Sequence, residues 1–374
     1  MIQIPTKMNF EILETGLVHR SPNEGPESVA ATSRPVVTRD GELLCSFHLQ
    51  SGLGVNDFAP CLSRSRDGGR TWEFEGITWP HLREKYSINC SISKAPNGDL
   101  FRYGFRMTIT KPGELFWCPE TQGILPDVLI WSRSVDNGHN WTEPAIFEVP
   151  LPGAAETPGS LCVTRTGRWI APYSPHHTFD PDLEVDTRHT VLMISDDEGK
   201  SWRHQSMMRV TEENSCLATA WVIELGNGSL LSACCHLNRG TGNDFPNPYS
   251  MSFDNGDTWT ETGSTGIMGQ SEGIAPWRSK QALFVYNQRR CDTPGIWLAV
   301  AEPSATDFGV IANQLIWSPA IVTQTGVSAE FNNWTSYSFG EPAVTVLPDE
   351  TVLVVFWCIQ PHERGIGFVR LRIM

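Results

Sequence analysis

Three glutamates of this chain each stand at the head of a short apolar run: Glu156 in ETPGSL, Glu272 in SEGIAP and Glu341 in GEPAVT. A polar residue at a strand start is commonly a solvated edge, so one such glutamate says little. Three at equivalent positions say more. Carboxyls crowded into one cleft raise one another's pKa, so that one stays protonated as an acid while another stays ionised. Hydrolysis of a glycosidic bond needs that division, and the separation of the two groups decides between retention and inversion. Glu341 is the expected nucleophile or base, with Glu272 or Glu156 as the acid. Runs of the same kind, TSRPVV, INCSIS and ATAWVI, would add Arg34, Asn89 and Thr219 to the same place.

What could bring six run starts together is visible in the repeats. Turn residues followed by a β-prone run recur as TRDGELLCSF, APNGDLFRYG, TRTGRWIAPY, LGNGSLLSAC, WRSKQALFVY and LPDETVLVVF. Their spacing, roughly 50 to 70 residues, suits a four-stranded antiparallel sheet per repeat. A second repeat is interleaved: SRDGGRTW from Ser65, SVDNGHNW from Ser134, SDDEGKSW from Ser195 and SFDNGDTW from Ser252. Each Asp can accept hydrogen bonds from its own turn, each Gly can take the left-handed conformation, and each Trp can return to the core. Four copies argue for scaffold over catalysis. The pattern predicts an all-β chain, a six-bladed β-propeller with four-stranded antiparallel blades, forming one domain over residues 1–374. NFEILETGLV is expected to pair with GFVRLRI and close the ring. Ligands of propellers sit at the end of the central channel where inner strands begin.

These S-x-D-x-G-x-T-W turns resemble the Asp-boxes of the sialidase superfamily, and with six blades the resemblance spans essentially the whole chain. Sialidases hold a sialic acid carboxylate with three arginines, and the resemblance implies Arg34, Arg239 and either Arg289 or Arg290 for that role. It places Asp57 near the loop acid. Thr219 stands where the family has a fourth-blade glutamate, and Glu341 where it has a tyrosine nucleophile. The nearest tyrosine is Tyr337. An anionic carboxylate would be repelled by a sugar bearing its own carboxylate at the anomeric carbon, so a glutamate there suits an ordinary aldose better.

Second-strand ends add His48, Gln288, His176, His177 and His236, which could bind hydroxyls or carry protons. They keep open a uronate-directed lyase with His or Tyr as base, and a carbohydrate-binding propeller without catalysis is the third alternative. The loop HHTFDPDLEVDTRH is acidic, but Val185 and Val191 occupy the sixth and twelfth positions of a calcium loop, so it reads as a solvated loop. No metal and no cofactor is implied. With 42 acidic against 28 basic residues and a net charge of −14, nucleic acid and anionic membrane surfaces are unfavoured partners. No signal-like start and no membrane-length apolar run is visible, which predicts a cytoplasmic protein. The expected partner is a small, anionic carbohydrate, and a homo-oligomer is left open.

Overall fold

Each of the six turn repeats closes the hairpin between the first and second strands of a sheet. The backbone N–H groups of Thr38, Ala95, Thr164, Leu225 and Leu347 donate across these turns at 2.8–2.9 Å. In the computed structural model, residues 8–156, 159–239, 244–289, 293–324 and 335–374 are described. Their strands form six antiparallel sheets arranged as the blades of a propeller. Blade 1 runs Val29–Val37, Leu43–Gln50, Ala59–Ser65 and Glu73–Ile77, from channel to rim, and the next four blades follow in chain order. In blade 3 the inner strand is split into Ala154–Glu156 and Cys162–Val163.

The ring closes as the sequence suggests. Phe10–Arg20 is the outer strand of blade 6 and pairs antiparallel with Arg364–Ile373, from Phe10 opposite Ile373 to Arg20 opposite Gly365. A sheet that contains both ends of the described chain locks a circle that would otherwise have open edges. Apolar side chains pack between neighbouring blades: Leu283, Val285 and Leu298 of blade 5 pack with Val352, Val354 and Phe356 of blade 6, all fully buried.

The four Asp-boxes form the turn between third and fourth strands. In the first, the Ser65 hydroxyl donates to Asp67 at 2.8 Å and accepts from the Gly69 N–H at 2.8 Å. Asp67 accepts the Thr71 N–H and hydroxyl at 2.9 and 2.6 Å, and the half-buried Trp72 donates from Nε1 to the Gly69 carbonyl at 3.0 Å. Asp136, Asp197 and Asp254 repeat the arrangement. Two successive residues of each box are left-handed, Gly68 and Gly69 in the first, Asn137 and Gly138 in the second.

A Cβ on Gly138, at φ +86°, would lie 2.5 Å from Leu44 Cδ1, whereas one on Gly167, at φ +91°, meets nothing within 4 Å. Gly167→Ala is therefore expected to cost only the left-handed term, about 1–2 kcal/mol. Gly138→Ala should cost measurably more in urea denaturation. Equal losses would contradict the packing of the box against Leu44.

Candidate active site

The inner strands of blades 1, 4, 5 and 6 share an irregularity. Ala31 pairs with His48 and Arg34 with Ser46, so Thr32 and Ser33 together oppose Phe47. The same two-against-one step falls between Ala218 and Trp221, between Gln270 and Gly273, and between Gly340 and Ala343. Such a bulge bends the strand and takes a backbone unit out of the ladder. Thr32, Thr219 and Glu341 are left-handed there, at φ 54°, 57° and 48°. For side chains of this kind that strain is of order ~1–3 kcal/mol and persists only where surroundings enforce it.

At three of these bulges, in blades 1, 4 and 6, the backbone N–H meets a side chain of the preceding blade. Thr32 donates from its N–H and its hydroxyl to Glu341 Oε2, at 3.0 and 2.9 Å. Thr219 N–H donates to Glu156 Oε2 at 2.7 Å, and Glu341 N–H donates to Asn287 Oδ1 at 3.1 Å. The strained backbone thus fixes the orientation of two carboxyls.

Glu341 and Glu156 line one cavity of about 220 Å³ at this mouth of the channel. That is below the roughly 300 Å³ at which drug-sized pockets begin. Phe58, Phe105, Phe116, Trp117 and Trp357 form an apolar wall, and Asn89, Gln270, His48 and His176 supply neutral polar groups. Tyr337 is buried beneath the Arg289 guanidinium, 3.8 Å from its ring centre, and both line the cavity. Arg289 also donates to Gln270 Oε1 and to the Phe339 carbonyl, each at 3.0 Å. Burial pushes the His48 imidazole down to about 3 and His176 to about 4, so both are neutral and weakly basic at neutral pH.

Glu156 is the centre of a carboxyl cluster. Burial, with the neighbouring charge of Glu341, pushes it up to about 8, although the Thr219 amide and Arg34 oppose the shift. Asp127, at the start of a blade 2 strand, is pushed up to about 8 by burial and by Glu156; its Oδ1 accepts the Ala155 N–H at 3.0 Å. Glu272 is completely buried and likewise reaches about 8, chiefly through burial. Its Oε2 accepts from Cys235 Sγ at 2.6 Å and from the Thr219 hydroxyl at 3.3 Å.

Several sequence expectations are corrected. Glu272 lies one residue beyond the position of Glu341 in its bulge, and its side chain sits behind Thr219 instead of in the cavity. Arg34 lies two residues beyond, and lines the opposite end of the channel. It spans the Trp221 ring at 4.9 Å and donates to the Ser33 and Glu341 carbonyls at 2.7 and 3.3 Å. Burial lowers it to about 10, with Glu341, Glu156 and Glu272 partly restoring its basicity. It is a buried counter-cation to the cluster.

Arg239 and His177 line a neighbouring cleft, so Arg34, Arg239 and Arg289 do not converge on one carboxylate. Asp57 is turned into its own loop and accepts the Ser51 N–H at 3.2 Å. His236 contacts the Ser215 hydroxyl at 3.0 Å, and Gln288 donates to the Met268 carbonyl at 2.7 Å; neither lines the cavity. Arg290 lies outside the described residues. Among the described residues, no group of three His, Cys, Asp or Glu is placed to hold a metal ion. Thr32, Asn287 and Asp127 were not anticipated, although the shared Ala-Thr of ATSR and ATAW marks two bulges.

A six-bladed ring with Asp-boxes on its blade turns and carboxyls at the channel mouth defines a sialidase-like propeller. The chain belongs to the BNR repeat-like domain family, whose pattern matches residues 105–311. It is similar in structure to a protein of unknown function from Dyadobacter fermentans, with a TM-score of 0.73 and 18% identity over 98% of this chain and 99% of that one. The NanB sialidase of Streptococcus pneumoniae superposes with a TM-score of 0.62 at 14% identity, covering 96% of this chain and 70% of the sialidase. The α-L-arabinofuranosidase Arb93A of Fusarium graminearum gives 0.63 at 14% identity over 97% and 98%. At these identities the likeness is one of fold. No curated protein matches the sequence.

The buried carboxyls set a pH dependence of stability. Between an unfolded value of about 4 and a folded value of about 8, these carboxyls hold protons in the folded chain that the unfolded chain releases, so their contribution to stability falls as pH rises through that window. Asp67 acts in the opposite sense: the Thr71 hydrogen bonds hold it down to about 2, so its contribution is lost as pH falls from about 4 to 2. Buried His48 and His176, held down to about 3 and 4, oppose the trend of the buried carboxyls below about pH 6.5. Thermal denaturation is therefore expected to show a midpoint that declines between about pH 6.5 and 8, with a shallower decline in Glu272→Gln. An unchanged slope in that variant would show that Glu272 does not carry a proton in the folded state.

Proposed function

We propose that the chain is a glycoside hydrolase that takes one sugar unit into the channel-mouth cavity. Glu156 protonates the leaving oxygen, and Glu341 acts at the anomeric carbon as nucleophile or through a water. The observation that carries this reading is the pairing of two carboxyls, one of them held neutral by burial, in one cavity. Glu156 is pushed up to about 8, which keeps its proton available at neutral pH, while Glu341 accepts two hydrogen bonds from Thr32 on one oxygen, which fix its orientation in the same cavity. The fold shared with a sialidase and with an α-L-arabinofuranosidase supports the class.

The cavity favours a neutral sugar over the anionic one expected from sequence. Among the described residues one arginine, Arg289, is at its wall, and it is already engaged by Gln270, Phe339 and Tyr337. The aromatic wall suits the apolar face of a sugar ring. A lyase is less well supported, because His48 and His176, at about 3 and 4, are poor bases.

A screen of nitrophenyl glycosides of neutral pentoses and hexoses, with uronides and a sialoside, tests the reading. Expected is turnover of a neutral glycoside that falls as pH rises through about 8, when Glu156 loses its proton. Glu341→Gln and Glu156→Gln should each lower kcat by about 10²- to 10⁴-fold, the second variant least on the best leaving groups. Full activity in either variant, or turnover of the sialoside alone, contradicts it.

A further inference from the structure

The small cavity has a wide neighbour. Between blades 3 and 4, on the same face, a cleft of about 1020 Å³ is lined by Arg239, Asn214, Gln122, His177, Asp186 and other polar residues. The two spaces share their dividing wall. A short hairpin, Trp117–Cys118 with Gly123–Ile124, leans from blade 2 toward blade 3, where Ile124 N–H donates to the His177 carbonyl at 2.9 Å. Trp117 and Ile124 face the small cavity, while Thr121 and Gln122 at the hairpin tip face the cleft. His176 and His177 divide in the same way, as do Leu237 and Arg239.

The cleft is held in shape by Arg239. Its Nε donates to Gln122 Oε1 at 3.0 Å and its Nη2 to the Thr121 carbonyl at 2.9 Å. Its backbone N–H donates to the Asn214 carbonyl at 2.8 Å. The two residues it ties together, Gln122 and Asn214, are both left-handed, at φ 51° and 56°, a conformation that side-chain residues keep when neighbours impose it. The cleft thereby presents amides, a guanidinium, an imidazole and carboxylates together. Mixed donors and acceptors of both charges fit a surface covered with hydroxyls better than an ion of either sign.

We infer that this cleft binds the leaving-group side of the substrate, an uncharged, hydroxyl-rich saccharide of more than one unit, while the terminal unit occupies the small cavity beyond the Trp117–His176 wall. This rests on the glycosidase reading above and extends it from a sugar to an oligosaccharide. The contrast in volume, about 220 against 1020 Å³, sets one unit on one side of the scissile bond and room for several on the other.

The test compares the 4-nitrophenyl glycoside that the screen returns with the di- to pentasaccharides of that sugar, in wild type, Arg239→Ala and Asn214→Gly. The glycine keeps the left-handed backbone and removes only the amide, so it guards against misfolding of the arginine variant. Expected is a wild-type kcat/KM that rises at least about tenfold from disaccharide to longer chains, and a ratio of oligosaccharide to aryl-glycoside kcat/KM that drops about tenfold in each variant, mainly through KM. A flat chain-length series, or an unchanged ratio in both variants, overturns the inference and leaves the glycosidase reading standing. Absence of turnover on every substrate overturns both.

Discussion

A bulged strand carries an N–H that its own sheet no longer satisfies, and this chain places such an amide at the channel mouth in blades 1, 4 and 6. A buried N–H without an acceptor is costly, on the order of 1–3 kcal/mol. Each is met by a side chain of the blade before it: Glu341 for Thr32, Glu156 for Thr219 and Asn287 for Glu341. The requirement stitches neighbouring blades together. It also dictates that acceptors, two of them carboxyls, sit where a ligand would sit. The bonds that join neighbouring blades are thus the ones that orient these two carboxyls.

Electrostatics follows from that placement. Glu156, Asp127 and Glu272 crowd an interior that cannot solvate three negative charges, so burial drives each toward its neutral form. Arg34 answers part of the remaining charge from below, between Trp221 and the backbone of Glu341. In the sequence it resembles a substrate-binding arginine; in the fold it is the cation that allows Glu341 and its neighbours to share a dry site. The thiols nearby take no part in ionisation, since burial raises Cys235 well above the usual range.

Local turn chemistry made the scaffold legible. Asp-Gly and Asn-Gly hairpins, the four Asp-boxes and the pairing of the N-terminal strand with the last one are encoded in short stretches whose conformations depend on few distant partners. The meeting of Glu156 and Glu341 in one cavity followed from the blade register those stretches set. The errors came from the bulges. Glu341 is the first residue of its bulge, Glu272 the second of its own, and Arg34 follows its bulge, so side chains that look equivalent in sequence leave the strand in different directions. Arg239 was misdirected for another reason. Its partner is the tip of a hairpin 118 and 117 positions earlier in the chain, at Thr121 and Gln122, a contact no local pattern announces.

The protonation of Glu156 beside Glu341 can be measured without knowing the substrate. Protein labelled with ¹³C at the glutamate carboxyl carbon, with the Glu156 signal assigned through Glu156→Gln, can be titrated by NMR alongside Glu341→Gln. Expected for Glu156 is a midpoint near 8 in the wild type, moving lower when the Glu341 charge is removed. A wild-type midpoint at about 4, the ordinary glutamate value, or one indifferent to Glu341, would contradict the assignment of these two carboxyls to a single catalytic pair.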